Sequence, residues 1–387
     1  MCGMCLPHCP TYQIYRNESE SPRGRISVIQ AYAQDRLQPD GKMQQHLDHC
    51  LGCMACEAMC PSNVAYGRLL DNAQVMLADD KTNPRKLLRM ILNQASHDNG
   101  FNRYAKPLRW YRKSGLQSLA GAVLRLAGNT PMVRANDILG IAQTTMLKNF
   151  YPASKKNVLG EVALFAGCMG SGFDGETLSS SIQVLTHLGY NLHIPSTQYC
   201  CGALHQHHGQ PQQAQLLAQQ NQSAFGNLPV SHIIHTSNGC GARLAQSNMP
   251  VPVIDILSFL LSSPALASTE FWPLDEKALL HESCSSLHKL RLAGVIQQAL
   301  KMIPQLQIID IPGPRICCGA GSSHQLLFPE LADKLLQLKT DIIKAAQPKY
   351  LLSDNLGCSL HFRSGLKKAG IEVKVIHPVT LLAQQLG

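Results

Sequence analysis

The sequence predicts an α+β multidomain protein in which a small helical domain and a basic helical linker precede two duplicated α/β modules. Three observations predict this organisation. The 15 cysteines of the 387-residue chain are clustered rather than scattered. Short apolar strands alternate with helical stretches only in the second part of the chain, as they do in α/β domains. The cysteine pattern of that second part occurs twice. We place the four units at residues 1–76, 77–159, 160–270 and 271–387.

The composition is that of a folded globular protein. Hydrophobic residues make up 45% of the chain and charged residues 15%, which is enough for a substantial core. The longest apolar stretch, 253–261, is interrupted by Asp255 and is shorter than the roughly 20 residues of a membrane span. The first residues do not resemble a signal peptide. We therefore expect a cytoplasmic protein, whose clustered cysteines stay reduced and bind metal or carry out redox chemistry.

The first unit combines two cysteine-rich loops with short helices, which we expect near 25–35 and 69–78. The linker has no cysteine, and its apolar residues near 87–92 and 116–126 predict amphipathic helices. Basic residues dominate the linker, because only Asp98 is acidic between residues 85 and 113. The basic residues of this segment are Arg85, Lys86, Arg89, Arg103, Lys106, Arg109, Arg112 and Lys113.

The second part of the chain is predicted to be α/β with a mainly parallel sheet. Its expected strands are short and apolar, and helical stretches separate them. The clearest strands are 162–166, 233–235, 278–280 and 350–352, and each half ends in a further strand and helix at 251–257 or 373–379.

Each half carries one cysteine, then an adjacent pair, then a last cysteine. These are Cys168, Cys200, Cys201 and Cys240, then Cys284, Cys317, Cys318 and Cys358. In the first half 31 residues separate the first cysteine from the pair and 38 separate the pair from the last one. The second half has 32 and 39. Two spacings that agree within one residue indicate an internal duplication.

The first unit contains the motif C-x2-C-x2-C-x3-C-P, formed by Cys50, Cys53, Cys56 and Cys60-Pro61. Three closely spaced thiolates wrap one cubane cluster, and the fourth belongs to the other cluster in two-cluster ferredoxins. A zinc ribbon would instead show two well-separated cysteine pairs. The motif therefore predicts two [4Fe-4S] clusters.

The start of the chain repeats this motif without its first cysteine, as Cys2, Cys5 and Cys9-Pro10. The exchange of the fourth ligand predicts a cluster B held by Cys50, Cys53, Cys56 and Cys9. It also predicts a cluster A held by Cys2, Cys5, Cys60 and a ligand that this sequence lacks. Three explanations are open: a true start upstream, a three-iron cluster, or water or His8 as the ligand. We expect the upstream start, because every other part of the motif is present.

The paired cysteines of the two modules are also candidate metal ligands. Neighbouring cysteines do not easily form a disulfide with each other, but both can bind one metal centre when the following glycine, Gly202 or Gly319, relaxes the backbone. The lone cysteines follow predicted strands, at the edge of a parallel sheet where ligands collect. Each module is therefore expected to converge four thiolates on a further iron–sulfur cluster or a zinc ion. The alternative, buried cysteines that act as small hydrophobic residues, predicts scattered positions.

These residues resemble the family of CCG-domain iron–sulfur proteins. The family includes glycolate oxidase iron–sulfur subunits, the C subunit of anaerobic glycerol-3-phosphate dehydrogenase and the B subunit of heterodisulfide reductase. Four segments look most similar to the glycolate oxidase subunits: Cys9-Pro-Thr-Tyr, Ser21-Pro-Arg-Gly-Arg-Ile, Thr236-Ser-Asn-Gly-Cys-Gly-Ala and Cys317-Cys-Gly-Ala-Gly. The resemblance covers essentially the whole chain and implies an α-helical two-cluster ferredoxin domain followed by two α/β CCG modules.

The chain departs from heterodisulfide reductase, where a fifth cysteine lies three residues after the last one of each module. Arg243 and His361 occupy those places here. This puts a five-cysteine noncubane cluster in doubt, and four ligands fit a cubane or a single metal ion better.

The resemblance implies an electron-transfer subunit of a flavin-dependent 2-hydroxyacid dehydrogenase complex that acts on glycolate or D-lactate. Its implied partners are FAD-containing dehydrogenase subunits and a quinone-type acceptor, with no nucleic acid. We expect no catalytic residue on this chain and place the flavin and substrate sites on another one. The reason is that we expect no G-x-G-x-x-G to open a helix after a strand, no phosphate-binding loop and no serine–histidine–acid arrangement. Two alternatives stay open. One is a subunit of another respiratory complex, of the glycerol-3-phosphate or lactate-utilisation type, and the other is a zinc-bound scaffold without redox activity.

Several further residues have two interpretations each. Arg23 and Arg25 either tune a cluster or bind a partner, or they are solvated arginines at a helix start. Five histidines near the cysteines either donate hydrogen bonds to cluster sulfurs or are ordinary surface or core residues. They are His205, His207, His208, His281 and His288. The basic linker either docks on an acidic flavoprotein or on anionic lipid at the inner membrane face, or it is a plain solvated linker.

Overall fold

The computed structural model describes residues 2–38, 40–77, 90, 92–94, 96, 104–128, 130–311, 317–321 and 323–387. Most of the basic segment 85–103 and most of the helix expected at 87–92 lie outside these residues. The α+β multidomain prediction is confirmed, with an all-helical first part and two sheets in the second. No described helix is long and apolar enough to cross a bilayer.

The first unit is built from short helices around the cysteine loops. They are α1 (Pro10–Tyr15), a 3₁₀ turn (Glu18–Glu20), α2 (Pro22–Ala33), α3 (Gly41–Asp48), α4 (Ala55–Ala58) and α5 (Tyr66–Met76). Helix α2 begins three residues earlier than predicted. Pro22 occupies its first turn, and the Ser21 hydroxyl accepts a hydrogen bond from the Gly24 N–H at 3.0 Å. A Cβ on Gly24 would lie 1.9 Å from the Glu18 carbonyl oxygen, so glycine permits this tight approach of α2 to the 3₁₀ turn.

The described linker forms three helices, α6 (Ala105–Lys113), α7 (Leu116–Leu126) and α8 (Thr130–Gly140). The helix predicted at 116–126 is therefore present with those bounds. Helix α8 packs on the second module, where Arg134 is buried and its guanidinium donates to Asp333. The linker thus contacts the body of the protein rather than extending from it.

The first module contains a five-stranded sheet. Its elements are β1 (Phe150–Tyr151), β2 (Gly160–Phe165), α9 (Gly170–Phe173), α10 (Gly175–Leu188), β3 (Tyr190–His193), α11 (Ala203–His207), α12 (Pro211–Gly226), β4 (Ile233–His235), α13 (Asn238–Leu244), β5 (Val253–Asp255), α14 (Ile256–Ser262) and α15 (Pro264–Ala267). The strand order is β1-β3-β2-β4-β5, and only β1 is antiparallel to its neighbour.

The second module contains a four-stranded parallel sheet in the order β7-β6-β8-β9. Its elements are β6 (Lys277–His281), a π-helical turn (Ser285–Leu290), α16 (Val295–Leu300), β7 (Gln307–Asp310), α17 (His324–Leu327), α18 (Pro329–Ala346), β8 (Tyr350–Ser353), α19 (Leu356–Lys368), β9 (Lys374–Ile376) and α20 (Pro378–Gln384). Apart from β1, both sheets have the same strand order, which agrees with a duplication.

The order of the strands positions the cysteines. In the first sheet β3 lies on one side of β2 and β4 on the other, and in the second sheet β7 and β8 lie on either side of β6. The direction in which successive strands are added therefore reverses between β2 and β4 and between β6 and β8. Crevices at such reversals are where open α/β sheets bind ligands. Cys168 and Cys240 follow β2 and β4, and Cys284 and Cys358 follow β6 and β8. Both lone cysteines of each module therefore lie at its reversal point.

Each sheet has one face on a core that the two modules share. Val162 and Leu164 of β2 point into this core together with Ala278 and Leu280 of β6. Ala163, in between, faces the opposite side, as the period-2 alternation of a strand requires. The opposite faces carry separate cores that contain Cys200 and Cys201 in the first module and Cys317, Cys318 and Cys358 in the second.

The loops that end in the last cysteines also hold the two modules together. The Asn355 Oδ1 accepts hydrogen bonds from the Ser237 hydroxyl and the Gly239 N–H, both at 3.0 Å. The Asn238 side chain donates to Asp354 at 2.9 Å. The two cysteine sites are therefore fixed relative to each other by buried polar contacts.

Candidate metal centres

Three thiols expected to hold cluster B lie together in the core of the first unit. Cys56 is buried there beside Cys50, and Cys9 and Cys5 are near enough to act on its charge. Burial raises the pKa of the Cys56 thiol, and the nearby thiolates of Cys50, Cys9 and Cys5 raise it further. Crowded thiols of this kind are stable as thiolates only when a cation shares their charge. The donor set therefore fits an iron–sulfur cluster.

Cys53, the fourth predicted ligand of cluster B, lies close to thiols of both the first unit and the second module. Its side chain lies in the core of the second module, with Cys317 and Cys318. Burial raises its pKa well above the usual value, and of the thiolates that add to this effect Cys284 contributes most, followed by Cys56. Cys53 thus lies between the thiols of the first unit and those of the second module. The sequence did not predict this contact.

The thiols expected to hold cluster A are less enclosed. Cys2 is exposed, and Cys5 and Cys60 are half-buried. Among the described residues, no hydrogen bond joins Cys2 or Cys60 to another thiol. The assignment of Cys2, Cys5 and Cys60 to one cluster stays a prediction.

A buried cation lies beside the cluster B thiols. Arg25 is 1% exposed, and its guanidinium donates to Glu20 at 2.7 Å and to the Thr11 hydroxyl at 3.0 Å. The positive charge of Arg25 interacts with Cys50 and Cys9. The structure therefore favours a tuning role for Arg25 over a solvated helix start.

Two histidines complete this polar network. Glu20 Oε1 pairs with His46 at 2.7 Å and with His49 at 2.9 Å. Burial alone would raise the pKa of Glu20, but the hydrogen bonds from His49 and His46 and the charge of Arg25 outweigh it and hold the pKa below its usual value. Arg23 differs from Arg25, because it lies at the surface in an ion pair with Glu18 at 2.6 Å.

The four thiols of the first module form a continuous chain of contacts. The Cys168 thiol hydrogen-bonds to Cys200 at 3.4 Å, and Cys201 contacts both Cys200 and Cys240. Hydrogen bonds from Cys200 and Cys240 hold the pKa of Cys201 well below its usual value. The predicted convergence of these four residues is present in the structure. A metal centre bound by these four sulfurs would take the place of the protons in the thiol–thiol hydrogen bonds.

Arg243 occupies the place of the fifth cysteine in the first module. Its positive charge lies near Cys201 and helps to lower the pKa of that thiol. Within the described part of the chain, its buried Nε has no hydrogen-bond partner. A cation thus stands where heterodisulfide reductase has a further thiolate, which agrees with the four-ligand expectation.

The second module repeats this chain of contacts. Cys284 pairs with Cys317, and Cys318 pairs with Cys358 at 3.0 Å. Asn355, which also bridges the modules, donates to the Cys358 sulfur at 3.7 Å. The eight cysteines of the two modules therefore form two sets of four, as the sequence predicted.

The cation of the second module comes from a different element. Lys339 of α18 is 5% exposed, and its ammonium group interacts with all four thiols of the module. Burial lowers the pKa of Lys339, whereas the thiolates act to raise it. The sequence reasoning missed this residue. A signal was available, because Lys339 follows Leu335 and Leu336 at helical spacing on the apolar face of α18.

The glycine after each cysteine pair has the expected backbone role. Gly202 has φ of 81° and Gly319 has φ of 94°, both in the left-handed region that favours glycine. A Cβ on Gly319 would also lie 2.6 Å from the Ala332 carbonyl oxygen. These glycines let the paired thiols turn toward the same site.

None of the first three histidines donates a described hydrogen bond to a cysteine sulfur. His205 contacts the Ser96 hydroxyl at 2.5 Å, His207 pairs with Asp71 at 3.2 Å and His208 contacts the Ser323 hydroxyl at 2.6 Å. They connect the first module to its neighbours. His281 differs, because it lies at the thiols of the second module, within 4.8 Å of Cys318 and Cys358.

One glycine spacing typical of dinucleotide-binding loops does occur after a strand. Gly170, Gly172 and Gly175 read G-x-G-x-x-G between β2 and α10, so the sequence offers a phosphate-binding signature that the expectation above overlooked. The structure shows that the start of α10 is covered by the preceding chain. The Gly175 N–H donates to the Gln143 carbonyl, and a Cβ there would lie 2.9 Å from that oxygen. The glycines therefore serve close packing rather than an open nucleotide site.

Two domain families match this chain. The 4Fe-4S dicluster domain matches residues 1–64, and the CCG cysteine-rich domain matches residues 162–245 and again 278–363. These matches coincide with the cysteine loops of the first unit and with the two sheets.

Several characterised or named proteins align with the chain. The probable glycolate oxidase iron–sulfur subunit of Bacillus subtilis (strain 168) is 28% identical, with 100% of this chain and 93% of the relative aligned. The glycolate oxidase iron–sulfur subunit of Escherichia coli (strain K12) is 27% identical, over 94% and 88%. Lactate utilization protein A 2 of Bacillus cereus (strain Q1) is 24% identical, over 59% of this chain and 99% of its own length.

A solved structure shares the fold. A hypothetical protein from Helicobacter pylori superposes with a TM-score of 0.56 at 10% identity, covering 90% of this chain and 64% of its own. At that identity the likeness concerns the fold alone. The dicluster domain, the two cysteine-rich domains and the relatives aligned along the whole chain agree on one conclusion. This protein belongs to the family of CCG-domain iron–sulfur proteins.

Proposed function

We propose that this chain is the iron–sulfur electron-transfer subunit of a flavin-dependent 2-hydroxyacid dehydrogenase complex. Its substrate class is glycolate or D-lactate, oxidised on an FAD-containing partner chain, and its acceptor is a quinone. The relatives named glycolate oxidase iron–sulfur subunit, aligned along the whole chain, support this proposal. Iron–sulfur clusters on the cysteines would supply the one-electron chemistry, as metal cofactors do in general.

The observation that carries the proposal is the position of Cys53. This thiol belongs to the ferredoxin-type motif, yet it is buried in the same core as Cys317, Cys318 and Cys358. Electron transfer needs closely spaced redox centres, and this shared core brings a thiol of the first unit close to those of the second module. Leu51, in the loop before Cys53, packs against Gly321 and so brings the first unit into contact with the second module.

The protein side chains then have three tasks. They bury the thiols, they balance the negative charge and they fix the modules to each other. The predicted cluster B thiols and the thiols of the two modules each have a buried or partly buried cation, namely Arg25, Arg243 and Lys339. A positive charge beside a cluster stabilises its reduced, more negative form. These residues would therefore raise the reduction potentials of the clusters beside them.

We further propose that the complex binds peripherally to the membrane through the linker helices. One face of α7 exposes Leu119, Val123 and Leu126 to 63%, 57% and 90%. These positions recur at helical spacing, and the adjacent α6 exposes Trp110 and basic side chains. An apolar stripe beside Trp and basic residues is typical of helices that lie in the lipid interface.

The membrane proposal is tested by flotation of the purified chain with vesicles. We expect binding to vesicles that contain anionic lipid, weaker binding to neutral ones, and loss of binding in Leu119→Ser with Leu126→Ser. The variant Leu338→Ser changes an exposed leucine on a different helix and should bind normally. Equal binding of all variants would contradict the assignment of this surface.

The proposed reaction is tested by purifying the affinity-tagged full chain from its native host without oxygen. We expect stoichiometric flavin in the eluate and bleaching of the cluster absorption on addition of glycolate or D-lactate, but not of glycerol 3-phosphate. A preparation without flavin, or one reduced by glycerol 3-phosphate, would contradict the proposal.

A second candidate is a component of a lactate-utilisation complex. The Bacillus cereus relative of that name aligns over 99% of its own length, which covers only part of this chain. The alignment along the whole chain favours the glycolate oxidase type. Reduction by L-lactate, but not by glycolate or D-lactate, in the same experiment would favour this second candidate.

A further inference from the structure

His281 lies at the end of β6 on the sheet face that carries the thiols of the second module. Ala278 and Leu280 point into the shared core, whereas Leu279 points into the core that contains the cysteines. His281 is two residues beyond Leu279, so its side chain is on the same face. A ring nitrogen of His281 and the sulfurs of Cys318 and Cys358 lie within 4.8 Å of one another. Among the described residues, no other group of three histidine, cysteine or acidic side chains is brought together so closely.

The imidazole of His281 is available for a further bond. The residue is 4% exposed, and its buried Nε2 has no hydrogen-bond partner within the described part of the chain. The ring packs edge-to-face on Phe362 with centroids 4.9 Å apart. A buried polar atom without a partner is costly. A bond to a metal held by the neighbouring thiolates would satisfy this nitrogen.

The position of His281 is specific to the second module. Both His281 and Phe165 lie three residues before the first cysteine of their module, and Phe165 packs in the cysteine core of the first module. The first module therefore has no histidine at the position of His281, although its buried His235, at the end of β4, lies near Cys201.

His361 is the histidine that the sequence places at the fifth-cysteine position, and it is turned away from the thiols. Its Nε2 donates to the Ala332 carbonyl at 3.2 Å, and its charged neighbours are Arg134 and Asp333. The histidine that lies at the thiols of the second module is therefore the one in strand β6, not the one in α19.

We propose that His281 is a metal ligand of the second module, so that this module forms a mixed imidazole–thiolate site with Cys318 and Cys358. One of Cys284 and Cys317 supplies the fourth donor. Imidazole and thiolate together suit a tetrahedral Zn²⁺ ion and also an iron of an iron–sulfur centre. This inference concerns the ligand and does not rest on the proposed dehydrogenase reaction.

The experiment uses the full chain, purified without oxygen and labelled with ¹⁵N-histidine or left unlabelled. X-ray absorption at the zinc edge reports the zinc arm, where we expect an imidazole nitrogen at about 2.0–2.1 Å beside sulfurs at about 2.3 Å. Pulsed EPR of the reduced protein reports the iron arm, where we expect a strong nitrogen coupling that changes with the label. Imidazole coordination in either arm supports the proposal and identifies the metal. Sulfur-only coordination in both arms of the wild-type protein overturns it, whatever the variants do.

Matched variants show which histidine is the ligand. His281→Gln should abolish the imidazole signal and lower retention of that metal against a chelator by more than the roughly 10- to 100-fold that loss of an outer-shell partner causes. His361→Gln makes the same change at a buried histidine of the same module and should leave the signal intact. His281→Cys should restore metal retention with sulfur-only coordination. An imidazole signal that persists in His281→Gln, or that disappears in His361→Gln instead, would contradict the assignment.

Discussion

Arg25 is buried among the thiols of the first unit, and Glu20 is the carboxylate that balances it. The pair is 2.7 Å apart and nearly inaccessible to water. Pairs of this kind are costly to break on one side, because the remaining charge stays buried. Arg23, two residues earlier, makes its ion pair at the surface. The two arginines therefore offer a comparison between a buried and an exposed cation of the same helix.

The first prediction concerns Arg25→Gln. We expect the free energy of unfolding to fall by about 3–5 kcal/mol, since Glu20 loses its buried partner, and the potential of the neighbouring cluster to become more negative. Urea denaturation and a redox titration followed by EPR measure the two effects. Arg23→Gln is the control for stability and should lower it much less, because the ion pair of Arg23 with Glu18 is partly exposed. Equal losses of stability in the two variants, or an unchanged potential in Arg25→Gln, would contradict the role of Arg25.

The second prediction concerns Lys339, the buried cation of the second module. Lys339→Met removes a charge that is costly in the metal-free protein and favourable beside metal-bound thiolates. We therefore expect the variant to retain less metal in the second module but to be more stable than wild type after complete chelation. Metal content and thermal unfolding measure these changes. Lys334→Met, on the exposed side of the same helix, should change neither the metal content nor the stability. If Lys339→Met were less stable than wild type both with metal and after chelation, a charge-balancing role for Lys339 would be contradicted.

At the scale of the element, the turn after the second cysteine pair depends on Gly319. Its φ of 94° is unfavourable for any residue with a Cβ, and that atom would also meet the Ala332 carbonyl. Gly370 has φ of 65°, and no atom lies within 4 Å of the position that a Cβ would take there. Both glycines therefore have a left-handed backbone conformation, but only at Gly319 would a Cβ also collide with another atom.

The third prediction follows from this difference. Gly370→Ala should cost only the backbone strain of about 1–2 kcal/mol, whereas Gly319→Ala should cost more and should also lower the metal content of the second module. Chemical denaturation and metal analysis of both variants test this. Similar stability and full metal content in the two variants would show that the turn tolerates a side chain.

The fourth prediction concerns the start of α14. Asp255 caps this helix by accepting hydrogen bonds from the Leu257 and Ser258 N–H groups. Burial, together with the charge of Asp354, raises the pKa of Asp255 to about 7 despite these bonds. Between the pKa of an unfolded aspartate, about 3.9, and about 7, the folded state binds the proton more tightly than the unfolded chain. Its contribution to stability therefore falls as pH rises through this window.

Asp255→Asn cannot ionise and still caps the helix. We expect it to be more stable than wild type near pH 8, with the difference shrinking toward pH 4, as measured by thermal unfolding across that range. Asp40→Asn tests the same cap exchange at an exposed position, where Asp40 accepts from the Met43 N–H. A pH-independent difference between Asp255→Asn and wild type would contradict the account.

At the scale of the whole molecule, the sequence predicted what depends on spacing. The duplicated cysteine pattern predicted two similar α/β modules, and the strands that precede Cys168, Cys240, Cys284 and Cys358 predicted two thiols at each sheet edge, which the adjacent cysteine pair of the module completes to four. Both follow from local rules, because a parallel sheet brings the ends of its strands together. The structure shows both.

The contacts between units were not predictable in the same way. The approach of Cys53 to the second module and the bridge through Asn355 both depend on how separate segments pack. No periodicity within one segment encodes them. His281 is an intermediate case, since its alternation in β6 was visible but its distance from Cys358 was not. The spacing of Gly170, Gly172 and Gly175 shows the reverse, because the chain that covers this local motif decides whether it can bind a phosphate.

The central claim is that the chain carries electrons on cysteine-bound iron–sulfur clusters. The most direct measurement is the iron, zinc and sulfide content of the anaerobically purified full chain, with EPR spectra before and after dithionite. The account predicts iron and acid-labile sulfide in comparable amounts, and cubane-type signals that appear on reduction. Zinc with little iron and no EPR signal in either state would contradict it and leave a zinc-bound scaffold.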